Sequence, residues 1–208
     1  LPGDQGEPRW SPNGAEIAYV GLGWMYPELS VVNVQTGRSR MVVVAVTHVG
    51  NHRWSPDGKQ IAAFMRENLR RYNSFLITSD DDGETWSEPI ELPASLTGDR
   101  HLPRYAPDGR LVIPFRDMAK GSPTYGDFAA WVGTYEDAVS GREGQYRVRL
   151  MDNHNRGDCA YPGVEILPDG TFVTTTYGHW TAGESPYVVS VHLTMEELDE
   201  RARALEER

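Results

Sequence analysis

The chain has 208 residues, with 20 Lys and Arg against 30 Asp and Glu, a formal net charge of −10 and an isoelectric point near 5.0. That length supports one domain with a substantial core, and the acidic balance argues against nucleic acid or an anionic membrane surface as a partner. Cys159 stands alone, so no intramolecular disulfide can form, and no run of about 18 apolar residues marks a transmembrane helix. With 21 Gly, 14 Pro, ten Tyr and six Trp, many short strands and turns are expected, not long helices. The chain opens Leu1-Pro2-Gly3, with no Met and no signal-peptide pattern, which leaves a removed leader open.

In chain order, one unit recurs. Pro8-Arg9-Trp10-Ser11-Pro12-Asn13-Gly14 precedes the apolar run Ile17 to Val20, and His52-Arg53-Trp54-Ser55-Pro56-Asp57-Gly58 precedes Ile61 to Phe64. Pro103-Arg104-Tyr105-Ala106-Pro107-Asp108-Gly109 precedes Leu111 to Phe115, and a weaker copy, Val164 to Gly170, precedes Phe172 to Tyr177. The spacing is roughly 45 to 60 residues, the size of a four-stranded propeller blade. Each copy reads as an inner strand, a hairpin turn and a second strand.

Third strands are predicted at Leu29 to Val34, Ser74 to Thr78, Phe128 to Tyr135 and Tyr187 to Leu193. Fourth strands follow at Met41 to Val46, Pro89 to Leu92 and Tyr146 to Met151, and the last copy lacks one. Thr194 and Glu197 form a capping box that opens a short helix. The expectation is an all-β protein, a β-propeller of four recognisable four-stranded blades over 1–194 with a helical tail over 195–208. A small ring, a truncated one and a six-bladed type completed by a homo-oligomer stay open as alternatives.

The stretch Ser79-Asp80-Asp81-Asp82-Gly83-Glu84-Thr85-Trp86 reads as a tight turn. Asp81 can accept backbone amides, Gly83 tolerates positive φ, and Trp86 offers a ring to bury. In a propeller this turn and the Pro-Asp-Gly turns share one face. The opposite face collects the starts of inner strands (Arg9, His52, Arg53, Asp99, Arg100, His101, Arg104, Asp158 and Tyr161) and the ends of second strands (Arg66, Glu67, Arg116, Asp117, Tyr177, His179 and Trp180). Arginine-rich clusters suit carboxylates, which guanidinium groups bind in paired hydrogen bonds.

The Ser79 to Trp86 stretch fits Ser-x-Asp-x-Gly-x-Thr-Trp and resembles the Asp-box of sialidases. Arg104 to Asp117 is similar to a sialidase blade, and Asp158 to Thr171 to the blade that carries the family's nucleophilic tyrosine. The first copy is similar instead to TolB-like, WD40-like repeats. The sialidase resemblance covers about residues 50 to 195; the usual Phe-Arg-Ile-Pro opening is absent. It implies an exo-glycosidase for a sialic-acid-like sugar, no cofactor and a secreted or periplasmic location, while the six scattered histidines, with no metal-ligand spacing, argue against a transition-metal site. It further implies arginines on the substrate carboxylate, a tyrosine attacking the anomeric carbon and an acidic partner.

Carried over residue by residue, Tyr161 is the candidate nucleophile, with Asp117, Asp158 and Glu165 as candidate carboxylates. Arg53, Arg66, Arg104 and Arg116 are the candidate carboxylate binders, and Tyr177, His179 and Trp180 line the sugar site. Each has a bland counterpart: arginines as ions at blade junctions, Arg116-Asp117 as a surface pair, Tyr161 as a packed ring, His179-Trp180 as a loop end. A non-catalytic propeller that binds a glycan or a protein partner, and a truncated or engineered propeller that assembles with itself, are the competing readings.

Overall fold

A computed structural model describes residues 5–22, 27–44 and 52–206. The described residues form a four-bladed protein of the β-propeller class, built from four antiparallel sheets in chain order. The first sheet runs β1 (Gln5–Trp10), β2 (Glu16–Leu22), β3 (Pro27–Asn33), β4 (Ser39–Val44). The second runs β5 (His52–Trp54), β6 (Ile61–Met65), β7 (Phe75–Ser79), β8 (Ile90–Glu91). The third holds β9 (Gly98–Asp99) and β10 (Arg104–Tyr105), both paired with β11 (Leu111–Asp117), then β12 (Phe128–Gly133) and β13 (Tyr146–Met151), with helix α1 (Tyr135–Val139) between the last two. The fourth is β14 (Gly163–Ile166), β15 (Phe172–Gly178), β16 (Tyr187–Leu193), and helix α2 (Met195–Glu206) follows.

The predicted strands are found to within one or two residues at most ends. Positions 45 and 46 of the predicted fourth strand of the first blade lie outside the described residues. The third strand predicted to reach Tyr135 stops at Gly133, because Thr134 caps α1. Its hydroxyl accepts the Asp137 amide at 3.0 Å, and the Asp137 carboxylate accepts the Thr134 amide at 2.9 Å.

The repeat is held together by its turns. In all four copies the glycine amide donates to the carbonyl three residues earlier, at 2.9 to 3.0 Å, and Gly14, Gly58, Gly109 and Gly170 have φ between 69 and 86°. The first two turns contain one residue more than the last two. There Ser11 and Ser55 supply a hydroxyl that accepts the amides of Glu16 (3.0 Å) and Gln60 (2.9 Å). Copies three and four close without that hydroxyl acceptor and carry Ala106 and Leu167 instead.

The chain divides into two compact units, residues 1–65 with 75–90, and 66–74 with 91–208. The first packs Leu29, Val31, Trp54 and Ile61 together, with Trp86 laid against them. In the second, Phe128, Val148, Val164 and Phe172 pack with Leu198 and Ala202 of α2. Helix α2 is capped by Thr194 and Glu197, whose carboxylate accepts the Thr194 amide at 2.7 Å. It is pinned by Asp199, which takes the Arg110 guanidinium at 2.7 and 2.9 Å and the Tyr146 hydroxyl.

Candidate functional site

The inner edge of the third blade is broken for a local reason. Leu102 donates to the Pro114 carbonyl at 3.0 Å, but Pro114 has no amide to return the bond. The inner strand therefore appears as two pieces, β9 and β10, and Arg100 between them takes φ 62°. Ala160 (φ 61°), just before Tyr161, and Arg70 (φ 55°), in the loop after β6, share this conformation. Positive φ is uncommon for a residue with a Cβ, and such residues gather at functional sites. Among the described residues four non-glycine positions have it, and these three surround one cluster in the second unit.

Asp99 is the centre of that cluster and is fully buried. Arg70 Nη2 reaches its two oxygens at 2.7 and 2.6 Å. Arg116 approaches Oδ2 with Nε at 3.1 Å and Nη2 at 2.5 Å. Burial raises the Asp99 pKa, but the two guanidinium groups outweigh it and hold the carboxyl below the usual range. Arg116 Nη1 also donates to the carbonyls of Gly157 and Cys159, the latter at 3.1 Å. It thereby fastens the segment leading to Tyr161 onto β11.

Tyr161 is 57% exposed. Its hydroxyl accepts Arg100 Nη2 at 2.5 Å, and the guanidinium carbon lies 4.0 Å from its ring centroid. The Tyr177 ring stands 5.9 Å away. Tyr177 donates its hydroxyl to Asp158 at 2.8 Å, and His179 Nε2 is 2.8 Å from the other Asp158 oxygen. The His179 contact first, then that of Tyr177, holds the Asp158 carboxyl below its ordinary range. Burial, then the bond to Asp158, pushes Tyr177 up to about 12. Behind them Asn153 is a staple: its side chain donates to Gly126 and Asn155 carbonyls at 2.9 and 2.6 Å and accepts the His179 amide at 3.0 Å.

Tyr161, Tyr177, Asp158, His179 and Arg116 are thus brought together. Arg53 belongs to β5 in the first unit. Arg66 is exposed just after β6, and Arg104 lies on β10 with Nη1 donating to the Pro103 carbonyl at 3.1 Å. Glu165 is exposed on β14, opposite Val173. Trp180 is only 7% exposed and donates to the Tyr187 carbonyl at 3.0 Å, within the core of the second unit. Asp117 is fully buried and accepts the Ala119 amide (2.9 Å) and the hydroxyls of Ser122 and Thr124. Burial pushes Cys159 up to about 12, which keeps it a thiol. Sequence reasoning placed Asp99 and Arg100 on this face without a role and missed Arg70 and Asn153. The signal for Asp99 and Arg100 was their crowding with His101 before the third inner strand.

No known family model matches the sequence, and no curated protein matches it. Among solved structures the chain is similar to TolB from Acinetobacter baumannii, with TM-score 0.56 and 17% identity over 92% of this chain and 44% of that one. It is similar to a protein assigned as TolB from Agrobacterium tumefaciens, with TM-score 0.56 and 20% identity over 93% and 61%. It is also similar to xylan β-1,4-xylosidase from Bacillus halodurans C-125, with TM-score 0.55 and 13% identity over 95% and 41%. The chain spans 41 to 61% of the length of these proteins. At such identities the likeness concerns the fold, a β-propeller. No helix among the described residues is long and apolar enough to cross a membrane.

Proposed function

We propose that the second unit carries a glycoside-processing site for an acidic, sialic-acid-like sugar, with Tyr161 as the nucleophile. The observation that supports this is an exposed phenol under a guanidinium, beside a Tyr177–Asp158–His179 chain of hydrogen bonds. Arg100 is the cation nearest the phenol and would meet the substrate carboxylate as it moves off the ring. The Tyr161 oxygen then forms a bond to the anomeric carbon as the bond to the leaving oxygen breaks, and the phenol proton passes to the solvent that the exposed ring meets. His179, oriented by Asp158, supplies the proton that oxygen needs. Water subsequently cleaves the sugar–tyrosine bond, its oxygen staying on the sugar; one of its protons restores the Tyr161 hydroxyl, and His179 takes a proton back from solvent. A neutral phenol suits an anionic sugar, because it adds no like charge beside the substrate's own.

In this scheme Arg116 and Asp99 position the Gly157–Cys159 backbone. Arg66, Arg104 and Glu165 would touch only the outlying part of a glycan, and Trp180 supports the loop beneath His179. A fluorogenic sialoside assay tests the reading. Tyr161→Phe should abolish turnover while retaining binding, and turnover at the wild-type rate would remove Tyr161 from the mechanism.

A second reading, glycan binding without cleavage, is favoured by one observation. Both oxygens of Asp158 are already taken by Tyr177 and His179, and Glu165 lies four residues, about 13 Å of extended chain, beyond Tyr161. Saturable binding of a sialoside with no product from the wild-type chain would establish it.

A further inference from the structure

A separate cleft in the second unit lies between the loop after β6 and the loop after β11, with a volume of about 150 Å³. That is room for roughly five waters, taking about 30 Å³ each. Its walls bring Arg70, Arg71 and Lys120 against a single carboxylate, Glu91, with Tyr72 and Asn73 alongside. These are the equivalent loops of two successive blades, each following a second strand.

Each wall is organised by a carboxylate that binds the backbone of its own loop. On one side Glu67 accepts the amides of Leu69 (2.7 Å), Arg71 (2.6 Å) and Tyr72 (3.3 Å). Burial raises the Glu67 pKa, but those amides outweigh it and its carboxyl stays below the usual range. Asn73 closes this loop, its amide donating to Glu91 at 3.0 Å and its side chain to the Leu92 carbonyl at 3.0 Å. On the other side the buried Asp117 gathers Ala119, Ser122 and Thr124, which sets Lys120 at the crest of a turn that Gly121 (φ 80°) completes. Arg70 is fixed from behind by Asp99, so its guanidinium is held in place before any ligand arrives. Arg71 and Lys120 are exposed and make no hydrogen bond or ion pair through their side chains among the described residues.

We propose that this cleft binds an oxyanion: the carboxylate, sulfate or phosphate group of a small solute. Three cationic residues line a space of that size in a protein whose net charge is −10, so general attraction of anions does not account for the arrangement. Guanidinium groups match oxyanions in bidentate geometry, and the lysine adds a mobile charge. The loops are ordered by Glu67 and Asp117 through hydrogen bonds of their own, which lowers the ordering cost of binding. In this arrangement Asp117 is a positioning residue for Lys120, and the cleft functions independently of Tyr161.

Amide-resolved NMR titration of the full chain with inorganic phosphate, sulfate and acetate, at constant ionic strength set with chloride, tests the assignment. Saturable shifts are expected at Arg71, Tyr72 and Lys120. An Arg71→Gln/Lys120→Gln chain, whose changes lie on exposed side chains, should bind at least tenfold more weakly, and Tyr161→Phe should bind as the wild type. Response to all three anions would assign a carboxylate-sized site, and response to phosphate and sulfate alone a tetrahedral dianion site. Absence of saturation for every anion, or equal affinity in the double variant, would overturn the proposal. Because binding is read without turnover, its failure is separable from failure of the glycosidase reading.

Discussion

Arg116 grips Asp99 through two nitrogens, Nε at 3.1 Å and Nη2 at 2.5 Å from the same oxygen, while its third nitrogen holds the carbonyls of Gly157 and Cys159. One side chain thus joins the broken inner strand of the third blade to the segment that delivers Tyr161. Removing the carboxylate charge leaves two guanidinium groups without their shared countercharge. Asp99→Asn should cost about 3–5 kcal/mol, the usual penalty for breaking a buried ion pair from one side. Denaturant unfolding measures it. The folded pKa of Asp99 is depressed, so its contribution is complete above the unfolded value near 3.8 and is lost as pH falls through the lower folded value. The variant should therefore lose part of the wild type's steep acid sensitivity below about pH 4.

His101 predicts a second pH effect in a different window. It is buried against Phe115, ring centroids 5.3 Å apart, and Nε2 lies 3.0 Å from the Leu96 carbonyl. Burial lowers its pKa from 6.5 to about 4. Between those values the unfolded chain holds a proton that the folded chain does not, so stability falls as pH drops from 6.5 to about 4. Thermal unfolding across that range should show the decline, and His101→Gln should flatten it. An equally steep decline in the variant would assign the effect to other groups.

In the first unit, Gly83 closes the turn that begins at Ser79. Its amide donates to the Ser79 hydroxyl at 2.7 Å, and Asp81 takes both the amide and the hydroxyl of Thr85, at 2.8 and 2.6 Å. The hydrogen bonds from the Thr85 hydroxyl and amide bring the Asp81 pKa down to about 2. Gly83 has φ 85°, and a Cβ there would stand 1.9 Å from Val42 Cγ1. Gly83→Ala should destabilise the protein by about 1–3 kcal/mol, the cost of overpacking plus a strained backbone. A double variant with Val42→Ala should recover part of the loss, which calorimetry can resolve.

Helix α2 belongs to the core of the second unit. Leu198 is 1% exposed among Phe172, Leu193 and other apolar side chains. Leu198→Ala should cost about 2–5 kcal/mol, measured by urea unfolding, whereas Leu205→Ala on the exposed side should change little.

Much of this was legible in the sequence because its determinants are local. Pro-Asp-Gly turns, the Ser79–Trp86 turn and the Thr194–Glu197 box act over two to five residues, and each carries its own glycine or side-chain acceptor. What was not legible depends on distance. Arg70 and Asp99 are 29 residues apart, and Arg116 meets Gly157 across 41. Nothing in the repeat pairs them. Pro114 was visible in the second strand of the third copy, but its consequence, an inner strand split at Arg100, follows only when the strand facing it is known. Asp117 looked like a carboxylate at a strand end; its burial is set by Ser122 and Thr124 folding back over it.

The most direct test of the site is peptide mapping by mass spectrometry after incubation with an activated sialoside whose sugar–enzyme bond hydrolyses slowly. A sugar mass on the peptide containing Tyr161, absent in Tyr161→Phe and reduced in His179→Gln, is the expected result. Turnover by the wild-type chain with no adduct on that peptide, or an adduct that persists in Tyr161→Phe, would contradict it.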